Sequence, residues 1–326
     1  MELERRSVLK AMLGTGLVPL GGGARAALPS SLVRVLVGFP AGGGTDVMGR
    51  VIVEKLRQRG SLKNVIVENR AGVSGILACE ALKNATPDGT TILFAPSAST
   101  VMPVLTYRRL PYDPRTDFAA LTLTGTLQSA LAVSPALPVH SFQDYLAWVK
   151  ADPRRGSFGT TALGSSTHFF GLTVGAAFGL PMEPVGYRGA APLVADLTGG
   201  HIPAGTGGLA DFLTHHESGK LRVILTSGTR RATSAPNIPT LAEMGHPQRA
   251  TQGFYAFFAP AGTPRPVVEA LSAEVAAATI EPEVRSQLLA LGLEPEVSSP
   301  EALAKLLRED IETWRPVIEA SGFKAD

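Results

Sequence analysis

Apolar and polar positions along this chain switch repeatedly between a strand-like and a helix-like spacing. Residues 33–38 (VRVLVG) form a short apolar run closed by Gly and Pro, which predicts a buried strand. A helical face follows over 46–59, with apolar residues at Val47, Val51, Ile52 and Leu56. A second strand is predicted at 64–67 and a second helix at 74–84, ended by the turn TPDG at 86–89. A third strand follows at 91–95 (TILFA). This βαβαβ unit predicts a parallel sheet with crossover helices.

The series then restarts. Strands are predicted at 119–124, 130–134, 157–161, 184–187, 202–206 and 222–227, with helices at 142–150, 167–178, 191–197 and 209–216. A last apolar strand, 254–259 (FYAFFA), leads into helices at 265–279, 282–291 and 300–321 that should clad the first unit. The expected organisation is α/β with two lobes. Lobe 1 takes 27–130 and 254–326, lobe 2 takes 131–253, and the chain crosses near 125–135 and again near 228–255. Two such lobes leave a cleft at the carboxyl ends of their strands, where open α/β sheets bind ligands.

Residues 1–26 do not belong to this pattern. Arg5 and Arg6 precede an apolar stretch too short to span a bilayer, and Ala24-Arg25-Ala26 fits a cleavage site. The run Arg5-Arg6-Ser7-Val8-Leu9-Lys10 resembles a twin-arginine export signal, with Val8 where Phe is usual. Removing this segment leaves 26 basic and 26 acidic residues, so the slight positive charge belongs to the signal. No basic stripe remains for nucleic acid. The single cysteine, Cys79, excludes a disulfide framework even in an oxidising compartment and reads as a buried thiol. His215 and His216 are neighbours on a helix and point apart, and no metal-binding spacing occurs. Neither a metal nor a cofactor is expected.

Chemistry concentrates in glycine- and serine-rich strand ends. Phe39-Pro40-Ala41-Gly42-Gly43-Gly44-Thr45-Asp46 joins a strand to a helix. Its glycines can turn several N–H groups to one side, and a helix start attracts anions. The spacing is neither the dinucleotide fingerprint nor a P-loop. A carboxylate site and a plain tight turn are both open. Gly164-Ser165-Ser166-Thr167-His168 is a similar junction in the second lobe. There His168 is open to roles as base, ligand contact or structural histidine. A hydrolase using Ser165 or Ser166 with His168 is disfavoured, because no orienting acid is evident and the order is not G-x-S-x-G. The loop 96–99, with Ser97 and Ala98, should face the same cleft. Tyr187 stands at another strand end, where it can close on a ligand or simply pack.

These stretches together resemble the Bug-type receptors of tripartite tricarboxylate transporters. The matching segments are VGFPAGGGTD (37–46), VENRAGVSG (67–75), PDGTTIL (87–93), YDPRTDF (112–118), GSSTH (164–168), YRGAAP (187–192), LTGG (197–200), IPTLAEMG (238–245) and FAPAGTP (258–264). The resemblance implies a type II-like periplasmic binding protein, each lobe a mixed sheet flanked by helices. It implies a monomeric, non-enzymatic receptor that passes a small carboxylate to membrane transporter subunits; a sensor delivering to a membrane kinase is the alternative. Carried over, the ligand contacts are Phe39, Pro40, Gly42, Gly43, Thr45, Asp46, Ser97, Ala98, Ser165, Thr167, His168 and Tyr187. The chain departs from the family pattern at 201–208 (HIPAGTGG), where Pro203 and Gly207 stand in place of two acids. Gly207 is expected to give a roomier, less acidic wall suited to a di- or aromatic carboxylate.

Overall fold

The computed structural model describes residues 28–60 and 62–325. The export signal expected over residues 1–26 lies outside them. In chain order the first half of the fold is β1 (Val33–Val37), α1 (Gly44–Arg59), β2 (Val65–Asn69), α2 (Ile76–Lys83), β3 (Thr91–Pro96), α3 (Ser97–Thr100), α4 (Met102–Thr106) and β4 (Phe118–Leu127). The second series is β5 (Ser129–Val133), α5 (Phe142–Ala151), β6 (Ser157–Thr160), α6 (Ser166–Phe178), β7 (Glu183–Gly186), α7 (Ala190–Gly199), β8 (Ala204–Gly208), α8 (Leu209–Glu217) and β9 (Arg222–Thr226). The chain closes with β10 (Gly253–Pro260), α9 (Arg265–Thr279), α10 (Pro282–Ala290) and α11 (Pro300–Ser321).

The strands build two five-stranded mixed sheets, ordered β2-β1-β3-β10-β4 and β7-β6-β8-β5-β9. In each, three parallel strands adjoin an antiparallel pair. Gln128 alone separates β4 from β5, so one residue carries the chain between sheets. Its carbonyl accepts the N–H of Leu209 at 2.8 Å and its side-chain amide donates to the Arg230 carbonyl at 2.9 Å. The residue that links the lobes is therefore bound into lobe 2 at two points.

Both faces of each sheet carry apolar clusters, as the continuous apolar runs require. Leu36, Leu93, Phe258 and the stripe Leu303, Leu307, Ile311, Trp314 and Ile318 of α11 share one core of the first sheet; Ile52, Leu56, Phe94, Phe257 and Leu271 share the other. The stripe on α11 recurs every three or four residues, one helical face. Helix α6 shows no such single face. Phe170 and Val174 enter the core of the second sheet, while Phe169 joins the first-sheet core under α11. An element packed between two cores has to be apolar nearly all round.

Three expectations change. The segment after β3 is not a loop: Ser97 opens the short helix α3, and α4 follows at once. Strand β4 runs on to Leu127, past Gly125, where a side chain would come within 2.6 Å of the Glu294 carbonyl. The last helix does more than clad lobe 1. Its Trp314 packs on Phe169 with ring centroids 6.3 Å apart, and Phe323 beyond it packs on both His168 and Phe169.

Candidate functional site

In the first sheet β1 and β3 are neighbours, yet α1 and α3, which follow them, leave toward opposite faces. That arrangement is a topological switch point, where a crevice opens at the strand ends. In the second sheet β6 and β8 repeat it, followed by α6 and α8. The glycine loop and Ser97 flank the first switch point, and the 162–168 loop flanks the second.

The glycine loop is shaped by an acid behind it. Gly42 takes φ +80°, a left-handed conformation that suits glycine. Its N–H donates to Asp46 Oδ2 at 2.8 Å, and Gly43 N–H donates to the Pro40 carbonyl at 3.1 Å. Arg50 Nε reaches the same Oδ2 at 2.8 Å, and Asn69 Nδ2 donates to Oδ1 at 2.8 Å and to the Phe39 carbonyl at 3.0 Å. Asp46 is 1% exposed. Burial pushes its carboxyl up, but the bonds from Arg50, Gly42 and Asn69 prevail and hold it below the ordinary carboxylate range. Of the acid and glycines in the loop, Asp46 thus serves the backbone instead of presenting a free carboxylate to the cleft.

The start of α1 is left without a side-chain cap. Its N-cap is Gly43, and no side chain bonds the first-turn N–H groups. Such a terminus carries unsatisfied donors and partial positive charge. Pro40, Gly42 and Gly44 are exposed around it, with Phe39 and Gly43 half-buried. Thr45 Oγ1 shares a hydrogen bond with Tyr255 Oη at 2.9 Å, and Tyr255 stacks on Phe94 with centroids 5.3 Å apart. Burial raises the Tyr255 phenol, offset in part by the Thr45 bond, so it stays protonated. Tyr255 also lies opposite Pro96 in the β3–β10 ladder, and Phe254 N–H donates to Ser97 Oγ at 3.2 Å. Strand β10 therefore ties the glycine loop to Ser97, with Ala98 exposed beside it.

The second-lobe loop is organised differently. Ser165 caps α6 by accepting the His168 N–H, and Thr167 Oγ1 meets the hydroxyls of Thr160, Thr161 and Ser165 at 2.8–3.0 Å. His168 is 4% exposed, and its Nδ1 accepts the Gly164 N–H at 3.1 Å. Burial lowers its pKa, so the ring is neutral with its proton on Nε2. Ser165 Oγ donates to the Ala162 carbonyl at 2.7 Å. Neither group is arranged as nucleophile and base, and His168 acts as the support of its own loop. Tyr187 joins this group through its N–H to the Thr160 carbonyl, while its hydroxyl donates to Asp196 Oδ2 at 2.7 Å. Burial, then Asp196, pushes the phenol up to about 12.

Gly207 does not widen the cleft wall. A Cβ there would stand 2.7 Å from Cζ of Phe212, a fully buried ring in the core beneath α8. The space that the missing side chain leaves is filled by a phenylalanine five residues on.

Asn69, Arg50 and Tyr255 were not singled out from the sequence. Asn69 does fall within the VENRAG segment, but its partners lie 23 and 30 positions away. Among the described residues no cluster of metal-ligating side chains occurs and no helix is long and apolar enough to cross a membrane.

Known proteins match this chain well beyond the loops, over 89–91% of its length. The protein BugT of Bordetella pertussis is 31% identical over 302 residues, which are 91% of this chain and 91% of that protein. An R. palustris protein solved with adipate superposes with a TM-score of 0.74 at 29% identity, covering 91% of this chain and 99% of that one. MatC from Rhodopseudomonas palustris, solved with bound malate, gives 0.69 at 25% identity over 89% of this chain and 100% of its own. The pattern described as tripartite tricarboxylate transporter family receptor matches residues 48–323, and this chain belongs to that family.

Proposed function

We propose that this protein is a periplasmic receptor that holds one carboxylate of a small organic acid at the start of α1 and delivers it to a tripartite-type transporter. The observation that carries the reading is the uncapped α1 terminus, opening on a glycine loop that Asp46 braces from behind. A carboxylate there would accept first-turn N–H bonds, each charge-assisted and worth roughly 1.5–3 kcal/mol. By contrast α6 is already capped by Ser165.

Dicarboxylates are the favoured class, since relatives were solved with adipate and with malate. The reading assigns the near carboxylate to the N–H groups of Gly44 and Thr45 and to Ser97, with Tyr255 as a neutral donor. The second-lobe loop, with Thr167 and Tyr187, would meet the far end as the lobes close. Ligand would favour closure to the extent of its extra affinity for the closed arrangement. Export by the twin-arginine route follows from Arg5-Arg6.

Calorimetric titration with adipate, malate and a neutral amino acid tests this. Micromolar binding of a dicarboxylate should be lost in Gly44→Val, whose Cβ meets nothing within 4 Å and so leaves the fold intact. Full affinity in that variant would remove the α1 assignment.

A further inference from the structure

Away from the strand-end cleft, a pocket partly open to solvent lies where α6, α11 and the returning segment before β10 meet. Thr173, Arg249, Thr251, Trp314, Pro316 and Val317 line a cavity of about 240 Å³. A second space of about 320 Å³ shares Arg249, Pro316 and Val317 and extends along α6 past Leu172 and Ala176. The walls are mostly hydrocarbon and indole, and they come from helices of both lobes.

Two polar groups in this apolar setting lack partners. The guanidinium of Arg249 makes no hydrogen bond, ion pair or ring contact among the described residues, although the residue is half-buried. The hydroxyl of Thr251 likewise has no partner, and Thr251 is 8% exposed. Elsewhere in the fold arginines beside acids are paired, as Arg50, Arg59, Arg115, Arg231 and Arg315 are. A half-buried guanidinium with no protein partner among the described residues, reached by solvent at the rim of a largely apolar pocket, is free to pair with an anion.

We infer that this cavity is a second ligand site, for a monocarboxylate with a compact apolar body such as an aromatic acid. The carboxylate pairs with Arg249 and accepts from Thr251, and the ring lies against Trp314 and Val317. The space fits: at about 30 Å³ per water, 240 Å³ is the room of roughly eight waters, enough for one substituted ring. The site is separate from the strand-end cleft and stands whether or not the α1 assignment is right.

The probe is 4-fluorobenzoate, titrated into the full mature chain and followed by its fluorine resonance and by tryptophan emission. Trp148→Phe leaves Trp314 as the sole reporter of the two tryptophans. Saturable binding that changes Trp314 emission is expected. It should persist in Gly44→Val. It should weaken on the order of tenfold or more in Arg249→Gln, which removes a charge-assisted pair, and similarly in Val317→Phe, which fills the space. Arg249→Gln should leave adipate and malate titrations unchanged. Absence of binding, binding indifferent to Arg249, or binding lost in Gly44→Val would each overturn the site.

Discussion

The carboxylate of Asp46 closes a ring onto the backbone N–H of Gly42, at 2.8 Å. The same oxygen holds Arg50, so the acid is committed before any ligand arrives. Asp46→Ala should therefore loosen the loop and lower stability by roughly 1.5–3 kcal/mol, the usual cost of removing a charged acceptor, and should weaken dicarboxylate binding. Because the native pKa lies below the ordinary value, the contribution is present above the carboxylate range and fades as pH falls through the native pKa. The stability gap between wild type and Asp46→Asn, measured by urea unfolding, should narrow below pH 4. Tighter dicarboxylate binding in Asp46→Asn with unchanged stability would mean that Asp46 instead faces the ligand and repels it.

His168 gives the opposite of a switch. Its Nδ1 accepts Gly164 N–H, and burial lowers its pKa. A base with a lowered native pKa loses stability as pH falls below about 6.5, because the unfolded chain takes up the proton first. His168→Phe keeps the ring packing against Phe169 and Phe323 but orphans the Gly164 N–H, at a cost of about 1–3 kcal/mol. The cost should be largest at pH 7–8 and shrink toward pH 5. A constant difference across that range would show that His168 does not titrate as a buried neutral ring.

Much of the fold was legible because alternation of short apolar runs with amphipathic stretches has few solutions in an α/β sheet. Strand β1 and helix α1 needed nothing but periodicity. The short α3 and α4 were not legible: four and five residues make no periodic pattern, and Pro103 within α4 reads as a break. The glycine loop was legible as an anion site or a turn; the turn is formed, and the uncapped start of α1 is what supports the anion site proposed above. What no local pattern carries is the partnership across the sheet. Asn69 closes onto Asp46 from the end of β2, and Tyr255 onto Thr45 from β10. The wall at Gly207 misled for the same reason. A glycine in the sequence shows a missing side chain, and Phe212 supplies the atoms from another element.

That filling is open to measurement. Gly207→Ala would drive a methyl into Phe212 and should destabilise by about 1–3 kcal/mol, as overpacking does. Phe212→Ala should cost about 3–5 kcal/mol through the cavity it leaves. Combined, the two should cost less than their sum, since the added methyl then meets vacated space. Thermal and urea unfolding of the four proteins gives the coupling. Strict additivity would place Gly207 out of reach of the Phe212 ring and reopen the wider wall.

Asp310 on α11 titrates against the fold. It is 7% exposed, its Oδ2 has no partner, and burial, only partly offset by Trp314, pushes its carboxyl up to about 7. An acid with a raised native pKa favours folding where it is protonated in the native state. Its contribution is therefore fully present below the unfolded value and is lost as pH rises through the native one. At about 1.4 kcal/mol per pKa unit the loss is of the order of a few kcal/mol between pH 4 and pH 7. Asp310→Asn keeps the shape without the charge. It should be close to neutral at pH 4–5 and stabilising above pH 7, with the melting-temperature difference growing across that interval. A variant that is equally destabilised at both ends would mean that the charged carboxylate has a partner that stabilises it.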